Sequence, residues 1–170
     1  MRYRGTASTG IVRLPHKKGI TLRVVWTHAG VAFVDDECDA AVDDVSRRLR
    51  MHLRESRVPT LIRSALAAAH RGKGDTEVPI DLSWATGYEQ EVLFAAMRIP
   101  RGQTRPYSWL AREARRPLAV RAAASAIARN PLWLLVPCHR VISASGKIGS
   151  YGASGIARKR ALLAREGVVL

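Results

Sequence analysis

The segment RGKGDT (71–76) constrains the fold most, because its glycines and charges suit neither a helix nor a strand. Before it, GITLRVVWT (19–27) and VAFVDD (31–36) are rich in β-branched residues and flank THAG, which predicts a β-hairpin. After it, apolar residues recur mainly at helical spacing. The sequence therefore predicts an α+β protein with two domains, residues 1–82 and a mainly helical domain of residues 83–170.

Two helices and a further strand are predicted in the first domain. Residues 39–55 carry apolar side chains at a spacing of three or four, which predicts one helix. Pro59 suits the start of a second helix, whose apolar residues share one face. VPIDL (78–82) is compatible with one more strand. The apolar residues of the two predicted helices are Val42, Val45, Leu49 and Leu53, then Leu61, Ile62, Ala65, Leu66 and Ala69.

The charge balance favours a polyanionic partner. The chain has 28 lysine and arginine residues against 14 acidic residues, a formal net charge of +14. Such an excess is typical of proteins that bind DNA or RNA. A basic surface in an arginine-rich proteome is the alternative explanation.

Composition also bears on the compartment. Hydrophobic residues make up 47% of the chain, which favours a globular protein. No apolar run is long enough to span a membrane, and MRYRGTASTG (1–10) lacks the apolar core of a secretory signal. Two cysteines, Cys38 and Cys138, allow at most one disulfide, so a reducing cytoplasm is expected. No spacing of cysteines and histidines favours a metal site.

Three helices are predicted in the second domain. TGYEQEVLFAAMR (86–98) begins with Thr86 and has Glu89 three positions on, a capping-box pattern. Two short helices then follow, YSWLAREA (107–114) and LAVRAAASAIARN (118–130), with Pro117 placed to open the second one. Such a pair in a basic chain suggests a helix-turn-helix. The predicted buried face of the first of these helices is Val92, Leu93, Ala96 and Met97.

The last of these helices is rich in alanine. Arg121, Ser125 and Arg129 share one face, and small residues such as Ala122 lie between them. A small surface permits close approach to a nucleic-acid backbone with little reading of sequence. The alternative is an alanine-rich helix packed tightly on its neighbours.

The stretch LWLLVPCHRVI (132–142) places a cysteine directly beside a histidine. Leu132–Val136 is expected to form a buried strand or apolar segment that ends at Pro137, which puts Cys138 at the end of an element. A thiol is a poor nucleophile until it is deprotonated, and His139 can accept its proton only through a turn or a bridging water. Glu166 is the only acidic residue after position 114. An isolated Cys-His pair is more often structural.

Residues 86–167 resemble the C-terminal domain of the O6-alkylguanine-DNA alkyltransferases, also called methylated-DNA–protein-cysteine methyltransferases. The family signature PCHRV stands intact at 137–141. The N-terminal half fits the family's variable domain only in outline. The resemblance implies a small ribonuclease H-like N-terminal domain, followed by a helical domain with a helix-turn-helix. The other matching motifs, in family order, are IPRGQTRPYSWLA (99–111), RNP (129–131), GSYG (149–152) and KRALLAREG (159–167).

The resemblance implies direct-reversal DNA repair without a cofactor or metal. The alkyl group of O6-alkylguanine, or of O4-alkylthymine, passes irreversibly to Cys138 after the base is flipped out. His139 activates Cys138 through a water, and Glu166 orients His139. Tyr107 helps rotate the nucleotide and assists protonation of the leaving guanine, and Asn130 braces the turn before the cysteine. Because the product is a thioether, each molecule acts once.

The resemblance also implies the binding residues. Arg121 fills the gap left by the flipped base, and Arg140 is structural. The partner is double-stranded DNA with an alkylated guanine, bound by a monomer, with several copies possible along one duplex. The expected DNA-binding residues are Arg121, Ser125, Arg129, Tyr107 and Ala122. The expected pocket residues are Val141, Trp133, Tyr151, Gly152 and Lys159.

Some features depart from the family pattern, and two other functions compete. The segment after Tyr151 has one extra residue before its leucine pair, a small Gly152 stands in the pocket wall, and Pro106 replaces a residue that caps the next helix. The first competitor is a protein of the same architecture that binds alkylated DNA without repairing it. The second is a cysteine hydrolase that uses Cys138, His139 and Glu166.

Overall fold

The computed structural model describes residues 5–14, 20–36, 39–72, 78–149, 151 and 155–170. The chain divides into two compact units, Met1–Ala85 and Thr86–Leu170. Both helices and sheet are present, so the predicted mixed α and β class is confirmed. In the described part of the chain, the helices are too short or too polar for any of them to cross a membrane.

The N-terminal unit contains a four-stranded sheet in the order β3-β2-β1-β4. The predicted hairpin is confirmed, since β2 and β3 pair in antiparallel orientation and His28 and Ala29 form the turn between them. β1 pairs antiparallel with β2 and parallel with β4. The strands are β1 (Gly5–Leu14), β2 (Ile20–Thr27), β3 (Gly30–Asp36) and β4 (Met51–Glu55), and the helices are α1 (Asp39–Leu49) and α2 (Thr60–His70).

The prediction of one helix over residues 39–55 is wrong in its last third. α1 ends at Leu49, Arg50 adopts a left-handed backbone conformation, and β4 follows. Leu53 lies opposite Ala7 of β1, and it packs with Met51 against the core beneath the sheet. Pairing with a strand more than forty residues away in sequence therefore overrides the local helical spacing.

Of the other expectations for this unit, the start of α2 is confirmed and a strand over residues 78–82 is wrong. α2 starts directly after Pro59, as predicted. VPIDL (78–82) is not a strand, because Ile80 makes only an isolated parallel bridge to Val31. Sequence reasoning missed β1, in which Gly10 allows a close approach: a Cβ atom there would lie 2.5 Å from the carbonyl oxygen of Ser56.

The C-terminal unit is mainly helical. The capping box at its start is confirmed, since the Thr86 side chain accepts from the Glu89 amide while the Glu89 carboxylate accepts from the Thr86 amide at 2.9 Å. Two residues from each of two segments form a small parallel sheet. The elements are α3 (Gly87–Met97), β5 (Arg105–Pro106), α4 (Tyr107–Glu113), α5 (Val120–Ala128), a 3₁₀ turn (Cys138–Arg140), β6 (Val141–Ile142) and α6 (Gly155–Arg165).

Three expectations for this unit need correction. Met97 was expected inside but is 40% exposed, whereas the other predicted α3 core residues are buried. α5 begins at Val120, so Pro117 lies in the preceding turn and does not open the helix. Residues 132–136 form successive turns rather than a strand, with Leu132 and Val136 buried. The expected loss of a cap at α4 is confirmed, because Pro106 provides no side-chain hydrogen bond.

Candidate active site around Cys138

A single tight turn explains how the adjacent side chains of Cys138 and His139 contact different partners. Cys138, His139 and Arg140 form one 3₁₀ turn after Pro137, and all three are buried. The Cys138 Sγ atom lies 3.4 Å from the Tyr151 hydroxyl, while His139 and Arg140 both reach Glu166. The turn thus sends the thiol to one set of partners and the imidazole to another.

Glu166 binds three groups at once. Its Oε1 atom lies 2.9 Å from His139 Nε2 and accepts from Arg140 Nη2 at 2.9 Å, and its Oε2 atom accepts from Arg140 Nε at 2.9 Å. The amide of Gly102 donates to Oε2 at 3.2 Å. Burial by itself raises the pKa of Glu166, but the hydrogen bonds from His139 and Arg140 outweigh it and lower the pKa to about 2. Glu166 is therefore an anion at neutral pH.

The local backbone places Glu166 for these contacts. It follows α6 directly, and Gly167 has φ +82°, a value that glycine tolerates. The amide of Val168 donates to Leu163 and that of Gly167 to Ala164, both at 3.0 Å, which is a Schellman ending. This ending turns the chain at the residue whose carboxylate the site uses.

The tautomer of His139 follows from its partner. A carboxylate only accepts hydrogen bonds, so Nε2 carries a proton, and in the neutral imidazole Nδ1 then presents a lone pair. Nδ1 is buried and has no hydrogen-bond partner among the described residues. The imidazole therefore has a free acceptor on the side away from Glu166, as a general base requires.

Cys138 sits in a buried environment that favours the neutral thiol. Its side chain is 4% exposed, and burial raises its pKa. Hydrogen bonds from Tyr151 and Asn130 and the charge of Lys159 oppose that rise without cancelling it. The resting group is a thiol with the means nearby to stabilise a thiolate.

Lys159 is fully buried beside this thiol. Its ammonium donates to the carbonyl oxygens of Val141 at 2.5 Å and Ile148 at 2.7 Å. Burial lowers its pKa to about 8, and ionisation of Cys138 acts in the opposite direction. The nitrogen also lies 5.8 Å from the centre of the Tyr151 ring. Val141, Tyr151 and Lys159, all predicted pocket residues, are thus together at the site.

Asn130 and Tyr107 approach the cysteine from the preceding helices. Asn130 Oδ1 accepts from the amide of Leu132 at 2.9 Å, and its Nδ2 donates to the carbonyl of Val136 at 3.3 Å. It thereby ties the end of α5 to the segment that carries Cys138. Tyr107, the first residue of α4, is partly buried. Its pKa is raised first by burial and then by the electrostatic interaction with Cys138 when that group ionises.

Of the two remaining predicted pocket residues, the structure describes only Trp133. Trp133 is partly buried, and the Arg158 guanidinium lies 4.9 Å from the centre of its ring. Its indole Nε1 is buried and has no partner in the described part of the chain. Gly152 lies outside the described residues.

α5 has a buried face and an exposed face, so the interpretation of a packed alanine-rich helix is confirmed for the buried face, and close approach to a nucleic-acid backbone stays a prediction for the exposed one. Ala123, Ala126 and Ile127 are buried, as a packed helix requires. Arg121, Ala122 and Ser125 are exposed on the opposite side. Arg129 differs from these residues because its guanidinium already has a partner: it donates to Glu89 at 2.6 Å in a salt bridge.

Sequence reasoning missed how the loop before α4 contributes. Gly102, with φ +75°, donates its amide to Glu166, and Arg101 donates to the carbonyl of Arg165 at 2.6 Å. The signal was present as a glycine between two prolines in IPRGQTRP (99–106). Arg140 was expected to be structural, and its Nη1 indeed donates to the carbonyl of Ile99 at 2.7 Å. Among the residues described, no cluster of His, Cys, Asp and Glu side chains is suited to hold a metal.

Comparison with known proteins places this site in a family. The family model described as 6-O-methylguanine DNA methyltransferase, DNA binding domain, matches residues 87–168. The chain is 36% identical over 146 residues to the methylated-DNA–protein-cysteine methyltransferase of Methanothermobacter thermautotrophicus, covering 83% of this chain and 80% of that relative. It is 48% identical over 90 residues to the enzyme of the same name from Mycobacterium tuberculosis, covering 53% of each.

The match to the mycobacterial relative thus spans about half of that protein's length. The structural likeness extends further. A crystal structure of Mycobacterium tuberculosis OGT in complex with DNA matches with a TM-score of 0.73 and 31% identity, covering 93% of both chains. Both the sequence match and the structural match extend beyond the helical half. This chain therefore belongs to the methylated-DNA–protein-cysteine methyltransferase family.

Proposed function

We propose that the protein repairs DNA by direct reversal, moving the alkyl group of O6-alkylguanine, or of O4-alkylthymine, irreversibly to Cys138. The observation that carries the proposal is the Glu166–His139 pair beside a buried thiol, with His139 Nδ1 buried and without a partner among the described residues. The relatives named above are methylated-DNA–protein-cysteine methyltransferases, which supports the same chemistry here.

Activation of the thiol requires a proton route to the base. Glu166 holds the imidazole with Nε2 protonated, so Nδ1 takes up the proton. Because Cys138 and His139 diverge from one turn, we assign the transfer to a single bridging water. The Tyr151 hydroxyl and the Lys159 charge then stabilise the thiolate that forms.

The transfer step balances in atoms and electrons. The thiolate attacks the alkyl carbon, so an S–C bond forms and the C–O6 bond breaks, with its electron pair left on guanine. Guanine takes one proton from Tyr107, whose raised pKa keeps it protonated until it is needed. The proton that the thiol gave to His139 restores Tyr107 through solvent. The product is a thioether, which water does not cleave under mild conditions, so each protein molecule reacts once.

Access to O6 requires the base to leave the helix, since that atom faces its pairing partner. In this proposal α4 and α5 form a helix-turn-helix in residues 83–170, and the exposed face of α5 lies against the duplex. Arg121 fills the gap, while Ala122 and Ser125 permit close approach. Arg129 contributes charge beside its bridge to Glu89. Residues 1–82 form a ribonuclease H-like domain.

We also assign the residues of the base pocket, the oligomeric state and the cellular compartment. Val141, Tyr151 and Lys159 surround the flipped base, with Trp133 and Gly152 in the outer wall. The protein acts as a monomer, and several copies can bind along one duplex. A thiol that must stay reduced places it in the cytoplasm.

The decisive experiment measures where an alkyl group goes. The protein is incubated with a duplex that contains one O6-methylguanine, and its intact mass and peptide map are recorded. We expect a gain of one methyl group at Cys138, none in Cys138→Ser, and an unchanged gain in the control Cys38→Ser. Binding without a mass change would instead favour a protein that only recognises damage. Turnover beyond one equivalent would favour a true catalyst, as a hydrolase requires.

A further inference from the structure

The turn between α4 and α5 holds an arginine in a backbone conformation that L-amino acids rarely adopt. Arg115 has φ +57°, and in the described ranges only Arg50 shares a positive φ among residues other than glycine. In this left-handed region the Cβ atom crowds the neighbouring carbonyl oxygen. Glycine or asparagine normally occupies such positions.

The hydrogen bonds around Arg115 show why the conformation is needed. The amide of Arg116 donates to the carbonyl of Ala111, and the amide of Arg115 donates to that of Arg112, both at 2.9 Å. These two bonds form the Schellman motif that ends α4, with Arg115 at the position after the C-cap. Glycine would complete the same motif without strain, so the motif does not explain an arginine.

The side chain of Arg115 is exposed, and within the part of the chain that the structure describes it makes no hydrogen bond, ion pair or ring contact. Its neighbour Arg116 differs, because that guanidinium lies 5.2 Å from the centre of the Tyr88 ring. A strained residue that presents an unused charge is typical of a functional position.

The surroundings indicate an anionic partner. The turn leads into α5, whose first turn carries the exposed Arg121. Leu118 in the same turn is 99% exposed, so none of the described residues covers this surface. The one acidic residue between positions 105 and 130 is Glu113, and it is already paired with Arg98 at 3.0 Å. The charge of Arg115 is therefore not neutralised locally.

We infer that Arg115 binds a phosphate of the DNA backbone next to the α5 face, and that an arginine stands at a glycine position because this contact strengthens DNA binding at a cost in fold stability. The inference rests on the proposed function, which supplies the DNA. A guanidinium matches the geometry of a phosphate, and each such contact releases counterions from the duplex.

Replacing Arg115 by glycine tests both halves of this inference. The melting temperature should rise by about 1–4 °C, because the strain is relieved. The Kd for a fluorescently labelled duplex with one O6-methylguanine should increase about eightfold at about 0.1 M salt. The slope of log Kd against log salt should become shallower by about 0.9. Arg115→Lys, which keeps both charge and strain, should retain the wild-type melting temperature and a Kd within about twofold.

Arg50→Gly is the matched control. Arg50 follows α1 with φ +54°, so the substitution relieves similar strain and removes one charge in the other unit. It should raise the melting temperature and leave the Kd unchanged. Equal losses of affinity in Arg50→Gly and Arg115→Gly would mean that only net charge matters and would overturn the inference. An unchanged Kd in Arg115→Gly, or a lower melting temperature, would also overturn it. Failure of the wild type to bind the duplex would instead refute the proposed function.

Discussion

The carboxylate of Glu166 joins parts of the chain that are far apart in sequence. Its partners are His139 and Arg140, 27 and 26 residues away, and Gly102, 64 residues away. One side chain thus sets the tautomer of the base, balances a buried guanidinium and anchors the loop before α4. Loss of its charge leaves Arg140 buried beside an uncharged group, which is costly.

Replacing Glu166 by glutamine should remove much of the decrease in unfolding free energy that acid causes. The pKa of Glu166 is lowered from 4.5 to about 2 in the folded state. The carboxylate therefore stabilises the fold above about pH 4.5, and this contribution, about 3 kcal/mol, is lost as the pH falls toward 2. Urea unfolding should be measured from neutral pH to about pH 3. The difference in unfolding free energy between the wild type and Glu166→Gln should decrease as the pH falls.

The control for this prediction is Glu113→Gln. Glu113 forms an exposed pair with Arg98 at 3.0 Å, so its loss should change the unfolding free energy by less than about 0.5 kcal/mol. A gap between wild type and Glu166→Gln that stays constant over the pH range would contradict the assignment of a lowered pKa to Glu166.

Replacing Tyr151 by phenylalanine should slow alkyl transfer because it makes the Cys138 thiol harder to ionise. The hydroxyl lies 3.4 Å from Cys138 Sγ and opposes the rise in the thiol pKa that burial causes. A hydrogen bond to a charged group contributes about 1.5–3 kcal/mol, so the rate at neutral pH should fall about 10–100-fold. The pH profile of transfer from an O6-methylguanine duplex should shift to higher pH.

Tyr88→Phe serves as the comparison. It removes a hydroxyl that donates to the carbonyl of Ala119 at 3.1 Å, away from the thiol. We expect a loss of about 1 kcal/mol in unfolding free energy and an unchanged pH profile of transfer. If Tyr151→Phe lowers the rate without moving the profile, its hydroxyl positions the substrate and does not stabilise the thiolate.

α5 combines a packed face with an exposed one, and single substitutions distinguish the role of each face. Ala123 is fully buried, so Ala123→Leu should overpack the core and reduce the unfolding free energy by about 1–3 kcal/mol. Ala122 is exposed, so Ala122→Leu should change stability by less than about 0.5 kcal/mol. Ala122→Leu should nevertheless weaken duplex binding, because a larger side chain prevents close approach.

Urea unfolding and fluorescence anisotropy with a labelled duplex measure the two effects. Destabilisation of similar size in both variants would mean that α5 has no free face. Unchanged DNA affinity in Ala122→Leu would remove this helix from the proposed DNA interface.

The net charge of +14 predicts how DNA binding responds to salt. Contacts to phosphates release counterions, so log Kd should rise linearly with log salt, by about 0.9 for each phosphate contact. Because the exposed face of α5 carries small residues, unmodified duplexes of different sequence should bind with similar affinity. Anisotropy titrations at several salt concentrations check both points. A strongly preferred unmodified sequence would contradict them.

Local patterns predicted those features whose partners are close in sequence. The hairpin of β2 and β3 and the capping box at Thr86 depend on contacts a few residues apart, and both are confirmed. The family was recognisable because PCHRV (137–141) and its flanking motifs are contiguous. The helix predicted from apolar spacing is wrong at Leu53, because this residue pairs with β1, which lies far away in sequence.

Short stretches of sequence were enough to predict the mixed α and β class, the starts of α2 and α3, and the adjacent thiol and imidazole. The resemblance implied that Glu166 orients His139. The Gly102 amide on Glu166, the burial of Lys159 beside Cys138 and the salt bridge of Arg129 with Glu89 become apparent only in the folded chain. Short-range preferences are small, whereas burial and hydrogen bonding between distant segments select one arrangement among many that the same local pattern allows.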